Sequence, residues 1–290
     1  MTQAVSRAFP AVTAILTSHG RKEATLRCLG SLFAQVDAEA DISAVLVDDA
    51  SPDGTTEAVL ARFDRVRVIA GNGNLFWANG MAVAEAEARR RQPDYLLWLN
   101  DDVILDRTAL ARLIEVSRSA AARLHVVAGP VLDPGRGTTS YGGVRRRDWH
   151  PLRYELVRPT GRVTELDTVH GNVLLVPAAT AELLGSIDGN YEHAYADFDY
   201  GLRLRQQGGV ALLAPDHVGT CRSNDLNSQV RDAPWRDRWA FLLSRKGMPI
   251  RSHVRYLRRH GGPIWPLVAA VPYARMIAKG LTTRGVRVVR

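Results

Sequence analysis

The stretch from residue 44 to 55, AVLVDDASPDGT, decides the fold class. Its four apolar residues, 44–47, suit a buried strand and are too few for a helix. The run stops at Asp48 and Asp49, and a Ser-Pro-Asp-Gly turn follows. The same grammar recurs on both sides. Upstream, 11–17 is an apolar run ending in Ser18-His19-Gly20, and Leu26, Leu29, Leu32, Phe33 and Val36 then recur at helical spacing. Downstream, Val59, Leu60 and Phe63 mark a short helix, and 66–70 a third strand that leads into GNGN. Residues 81–91 are rich in helix-forming Ala, Glu and Arg, and 95–99 is a fourth strand that stops at Asn100-Asp101-Asp102. Leu110, Leu113 and Ile114 sit on the next helix.

Strands alternating with helices predict βαβ units and an α/β fold with a Rossmann-like, mostly parallel sheet. Ligands bind such sheets beyond the carboxyl ends of the strands. Here those ends carry SHGR, DDASPD, GNGN and NDD, so four polar clusters are expected along one edge. Past 126–132 the pattern changes. Segments 138–144, 152–157 and 163–176 read as strands and turns of an α+β half that holds a second substrate. Residues 201–207 read as helix and 210–214 as the last strand.

Composition narrows the class of protein. No internal repeat is visible, which argues against solenoids and propellers. Cys28 and Cys221 make neither a disulfide framework nor a zinc motif, and a reducing compartment is the simplest expectation. The first sixteen residues lack the pattern of a secretory leader, so a cytoplasmic protein is expected. The longest uncharged apolar stretch, 263–274, contains three prolines and is shorter than the roughly 20 residues of a spanning helix. Net charge is +8, yet residues 231–290 carry fourteen Lys or Arg against two Asp, a balance of +12. The remainder is therefore −4, an acidic body that suits a cation site better than nucleic acid.

Three acidic clusters carry the chemistry. Asp48 and Asp49 follow a strand directly and need water, a donor or a cation, because burying unpaired carboxylates is costly. Ser51 or Asp53 can cap a helix starting near Thr55; that does not explain Asp48, whose carboxylate can instead accept a hydrogen bond from a pyrimidine base. Asn100-Asp101-Asp102 suits Mg²⁺ or Mn²⁺, which take carboxylate oxygens and share the rest of their shell with substrate phosphates and water. Its plainer alternative is a helix cap, a part that Asp106 can also play. In Ala196-Asp197-Phe198-Asp199 the two acids share one face of a strand or lie about 160° apart on a helix, which the following residues suggest. Either one is a general base while the other orients Arg203 or caps the helix, or both merely favour the helix dipole. In GNGNLFWANGM, 71–81, the glycines allow unusual backbone angles and Asn72 or Asn74 can bond a ribose or sugar. Phe76 and Trp77 either pack under a sugar ring or belong to the core. The glycine spacing does not match a dinucleotide fingerprint.

In the order LTSHGR, VDDASPDGT, GNGNLFWANGM, LWLNDDV, HGNVLLVP and YADFDYGLRLRQQG, the chain resembles family-2 glycosyltransferases of GT-A fold, over roughly residues 10–225. The resemblance is to the rhamnosyltransferase-like members. It implies a catalytic domain over 1–228, with a nucleotide-binding half at about 10–132 and an acceptor half at about 133–228. A basic, aromatic helical tail would occupy 229–290. It also implies an inverting transfer of a sugar from dTDP-rhamnose or a UDP-hexose to a glycan or lipid-linked glycan, as in cell-surface polysaccharide synthesis. By resemblance Thr17, Arg21, Asp48, Asn74 and Asp101 serve the donor, and Asp102 and His217 the divalent metal. Trp77, Asn172 and Asp199 would serve the acceptor, with Asp197 the catalytic base. The chain departs from the pattern at Asn100, which replaces the first Asp of the DxD-like element, and at Ala196, where many members have Glu. His217 has a plain alternative as a polar turn residue.

A sugar-phosphate nucleotidyltransferase would need a Gly-rich basic loop that SHGRKEATLRCLGS matches poorly. A non-catalytic nucleotide-sugar binder has no use for Asp48, Asp102 and Asp197 together. In the tail, Trp235, Trp239, Phe241, Leu242 and Leu243 precede Arg245, Lys246, Arg251, Arg255, Arg258 and Arg259. This mixture suits peripheral contact with an anionic membrane, such as the inner face of the plasma membrane. It equally suits packing on the catalytic domain or on a second copy. No nucleic-acid module is visible.

Overall fold

The computed structural model describes residues 8–192, 194–224, 233–244 and 247–285. Its first half is β1 (Ala11–Ser18), α1 (Lys22–Phe33), β2 (Asp41–Asp48), α2 (Thr55–Arg62), β3 (Val66–Ala70), α3 (Phe76–Arg89) and β4 (Tyr95–Leu99). β1 pairs in parallel with β2 and β4, and β2 in parallel with β3. Side chains alternate across the sheet as period-2 geometry requires. Val12, Ala14 and Leu16 join Leu29 and Leu32 of α1 in one core layer. Ile15, Val45 and Val47 join Ala78, Met81 and Ala84 of α3 in the other. Burial on both faces explains why these strands read as unbroken apolar runs.

The second half runs β5 (Ile104–Leu105), α4 (Ala109–Arg118), β6 (His125–Ala128), β7 (Val131–Asp133), β8 (Thr138–Tyr141), β9 (Gly143–Arg146) and β10 (Tyr154–Val157). It continues with β11 (Thr164–Leu166), β12 (Thr168–Val169), β13 (Val173–Pro177), α5 (Ala178–Leu184), α6 (Ala196–Gln206), β14 (Val210–Leu213) and β15 (Gly219–Thr220). The main sheet has eight strands in the order β11-β14-β6-β13-β4-β1-β2-β3. β13 runs antiparallel between β4 and β6, so the sheet is mixed at its middle and parallel at β4-β1-β2-β3. Two small sheets, β10-β9-β12 and β5-β15-β7-β8, stand on the second half.

Three helices follow: α7 (Trp235–Leu243), α8 (Ile250–His260) and α9 (Trp265–Gly285). α8 is no appendage. Its Tyr256 and Leu257 are fully buried in the core layer that holds Tyr200 and Leu204 of α6. Arg255 and Arg259 pair with Asp188, and Arg259 also reaches Asp199 at 2.7 Å. Two of the arginines expected to be available to lipid are therefore spent inside the molecule. Arg245 and Lys246 lie outside the described residues. Among those described, no helix is long and apolar enough to cross a membrane.

Candidate active site

The polar strand ends gather around a cleft of about 740 Å³. One wall is Thr17, Ser18, His19 and Arg21 after β1, Asp49 after β2, Gly73 and Phe76, and the acidic turn Asn100, Asp101 and Asp102 after β4. Trp77, Gly171, Asn172 and Asp197 line its middle. Tyr141, Leu152, Tyr154, Ala194, Tyr195, Phe198 and Tyr256 line the remainder.

The acidic turn is held by charge. Arg21 spans both carboxylates, with Nη1 3.1 Å from Asp101 Oδ1 and Nη2 2.6 Å from Asp102 Oδ2. Asp101 is buried, and burial pushes its carboxyl up to about 6 against the pull of Arg21. Its Oδ2 is buried without a hydrogen bond of ordinary geometry; neighbouring Ser18 has its hydroxyl 2.8 Å from that of Thr25. A buried carboxylate oxygen left unpaired is costly, and a cation removes that cost. The oxygens of Asp101 and Asp102 thus fit a hard divalent ion that would complete its shell with other oxygen ligands. Among the described residues, no three His, Cys, Asp or Glu side chains converge as a ready-made protein cage.

Asp197 stands in the first turn of α6, half-buried. Its Oδ2 accepts a hydrogen bond from the Gly171 amide at 3.1 Å, and its Oδ1 one from the Phe198 amide at 2.9 Å. A Cβ on residue 171 would stand 2.5 Å from the ring of Trp77. Gly171 is therefore what lets Trp77 and Asp197 share one wall. Trp77 is fixed by its indole N–H, which donates to Asn100 Oδ1 at 2.8 Å. Two cleft aromatics, Phe76 (φ 58°) and Tyr195 (φ 77°), hold left-handed backbone. That conformation is costly for bulky residues and concentrates at functional sites.

Thr17, Arg21, Asp101, Asp102, Trp77, Asn172 and Asp197 are thus brought together in the cleft. Four expected residues are not. Asp48 does not line it: its carboxylate accepts from the Ser51 amide at 2.9 Å and the Thr56 hydroxyl at 2.5 Å, knitting the 48–56 loop together. The neighbouring Asp49 reaches the cleft wall and accepts from the amides of Gly73, Leu75 and Phe76. Asn74 is exposed and outside the lining, its amide bonded to Asn72 Oδ1 at 3.0 Å. His217 is also outside; its Nε2 lies 3.0 Å from Thr139 Oγ1, within the small β7-β8 sheet. Asp199 is completely buried on the other side of α6. It accepts from Tyr191, Arg203, Arg259 and His260 at 2.7–3.0 Å. Burial opposes its ionisation, but the bonds from His260 and Arg259 and the charge of Arg203 outweigh it and hold the carboxyl well below the usual range. Spacing of two on a helix sends the pair to different sides. Asp199 ties the tail to α6 and has no route to an acceptor.

The sequence reading missed Tyr141, Tyr154, Tyr195, Phe198 and Tyr256. Their only local signal was Tyr195 and Phe198 flanking Asp197.

Residues 13–182 match the model of glycosyl transferase family 2, more than half of the chain, and the chain belongs to that family. Its fold is of GT-A type. No curated protein sequence matches it significantly. Among solved structures it is similar to mannosyltransferase PcManGT from Pyrobaculum calidifontis in complex with GDP-Man and Mn²⁺. The TM-score is 0.57 at 17% identity, over 97% of this chain and 77% of that one. It is also similar to GalNAc-T7 with UDP, GalNAc and Mn²⁺, with a TM-score of 0.55 at 15% identity. That match spans 71% of this chain and 43% of the other.

Proposed function

We propose that the protein moves a sugar from a nucleotide-diphosphate sugar to an acceptor hydroxyl in a single, inverting displacement. The observation that carries this reading is one cleft lined by Asp101 and Asp102 after β4 and by Asp197 beside Trp77 and Gly171. The two similar structures were obtained with a nucleotide or nucleotide sugar and Mn²⁺, which supports the donor class and a divalent ion. Asp101 and Asp102 would hold that ion. When bound, it supplies positive charge that stabilises the departing diphosphate.

The chain's own residues do the rest. Arg21 leaves its carboxylate partners free for the ion and offers its guanidinium to the phosphates, for which its fork geometry is suited. Trp77 and Asn172 bound the space where the sugar sits. Asp197, oriented by the Gly171 and Phe198 amides, takes the proton of the acceptor hydroxyl as that oxygen bonds to the anomeric carbon. The bond from that carbon to the diphosphate oxygen breaks, and the electron pair leaves with the diphosphate. A dTDP-rhamnose or UDP-hexose donor, and a product destined for a cell-surface glycan, remain part of the proposal. The deciding experiment is a panel of nucleotide sugars scored for binding and turnover with Mg²⁺, with Mn²⁺ and with chelator. Chelator-insensitive turnover would remove the ion from the scheme, and no turnover of any donor would remove the reaction.

The proposal extends to a peripheral membrane position. Along α9, Leu267 is 71%, Val271 40% and Ile277 50% exposed, and Arg251 and Arg258 of α8 are exposed as well. Exposed apolar side chains on one helix and exposed cations on the helix before it are the residue types that the headgroup layer of an anionic bilayer accepts.

A further inference from the structure

We infer that the acceptor is an uncharged sugar ring, packed face-on against an aromatic wall of Tyr154, Tyr195 and Phe198 that Tyr256 of the C-terminal helix α8 holds in place. The inference deepens the transferase reading and rests on it for the word acceptor.

Three stretches far apart in sequence build this wall: β10, the start of α6, and α8. Tyr195 stacks on Tyr256 with ring centres 4.8 Å apart and planes 26° from parallel. Tyr154 meets Phe198 edge-to-face at 5.2 Å. The hydroxyls are spent on protein partners. Tyr154 and Tyr256 share a hydrogen bond at 3.0 Å, and the Tyr195 hydroxyl lies 3.1 Å from His253 Nδ1. Burial depresses the His253 imidazole to about 4, so that partner is neutral. What remains for a ligand is ring surface, a match for the C–H face of a sugar.

Charge decides the rest. Among the described residues lining the cleft there is no Lys, and the one Arg, Arg21, is paired with Asp101 and Asp102 on the other wall. Arg146 lies over the Tyr154 ring, 5.8 Å from its centre, but outside the cleft lining. Among the described lining residues a phosphate or carboxylate on the acceptor would meet no further lysine or arginine and would face the Asp197 carboxylate, so charge disfavours it. The left-handed backbone of Tyr195 places its ring directly before the helix that carries Asp197. A ring packed on the wall can then present a hydroxyl to that carboxylate.

The test is binding of methyl glycosides of glucose, galactose, mannose, rhamnose and N-acetylglucosamine, with methyl glucuronide as the charged control, by saturation-transfer NMR on the full chain. At least one neutral glycoside should bind about tenfold tighter than the glucuronide. Tyr154→Ala, at a partly exposed position on a small sheet, should weaken that binding roughly tenfold. Tyr256→Phe, which removes only the hydroxyl that holds Tyr154, should weaken it less; Tyr256 is a positioning residue. Nucleotide-sugar affinity, measured in parallel, should be the same in all three proteins. No binding of any neutral glycoside, equal binding of the glucuronide, or full binding by folded Tyr154→Ala would overturn the inference. Glycoside binding that depends on Tyr154 in a protein that turns over no nucleotide sugar would leave the subsite standing and sink the transferase reading.

Discussion

The two ends of the cleft are built on opposite principles. At one end Arg21, Asp101 and Asp102 hold each other by charge, and every residue sits on a loop within a few positions of a strand end. At the other, rings contributed by β10, α6 and α8 pack edge and face, with their hydroxyls turned to protein. A charged end recognises a charged group and depends on pH and cations. A ring-lined end recognises shape and an apolar face, and depends on the packing behind it. The proposed transfer, from a diphosphate-bearing donor to a neutral hydroxyl, would use one of each, with Asp197 between them.

The sharpest way to break this picture is at the boundary. Asp197→Asn keeps shape but accepts no proton, so turnover should fall roughly 10²–10⁴-fold with donor affinity nearly unchanged. Collapse of donor affinity instead would make Asp197 a donor-binding residue. At the charged end, Asp102→Ala should abolish metal-dependent turnover while thermal unfolding stays close to wild type, because the side chain is partly exposed beyond β4. Full turnover by the folded variant would refute the assignment.

Behind the ring-lined end, Asp199→Ala leaves Arg203, Arg259 and His260 facing a buried void. Loss of one partner from such a network costs about 3–5 kcal/mol. Urea unfolding should show a large fall in midpoint, and an unchanged midpoint would mean the network is not what anchors α8. His253 sharpens the same contrast through pH. Its folded-state value, near 4, lies below the ordinary 6.5. The unfolded chain therefore binds the extra proton first, and the contribution of neutral His253 is complete above 6.5 and lost as pH falls toward 4. The melting temperature should drop across that window, and His253→Leu should flatten the drop. The smallest effect is expected at the surface. Leu267→Glu with Val271→Glu should weaken salt-sensitive binding to anionic liposomes several-fold. Equal binding by the variant would rule out α9 as the contact, and concentration-dependent self-association lost in the variant would point to a second copy. Truncating the tail cannot serve here, since it would remove Tyr256 and the partners of Asp199.

The parallel strands, the clusters at their ends and the acids Asp101, Asp102 and Asp197 were legible in the sequence. Strand and helix periods are local, and a carboxylate directly after a buried strand has few places to go. What lay beyond reach was side-chain direction and long-range contact. Asp197 and Asp199 look alike in sequence, yet about half a turn of helix sends the first into the cleft and the second into a knot of arginines. Asp48 is drawn away from the cleft because the Ser51 amide and the Thr56 hydroxyl claim its carboxylate inside the turn, while Asp49, held by the amides of Gly73, Leu75 and Phe76, stands on the wall. His217 follows the right strand, but its ring is held by Thr139 of a small sheet that no periodicity foretells. The tail looked like a separate basic module; its composition is visible in the chain, but only tertiary packing spends Arg255 and Arg259 on Asp188 and Asp199 and seats Tyr256 behind the cleft. Local pattern determined where the chain becomes strand or helix and which acids reach a strand end. Contacts across 60 to 100 residues decided which side chains share a space, because that depends on how whole elements pack and not on neighbours in sequence.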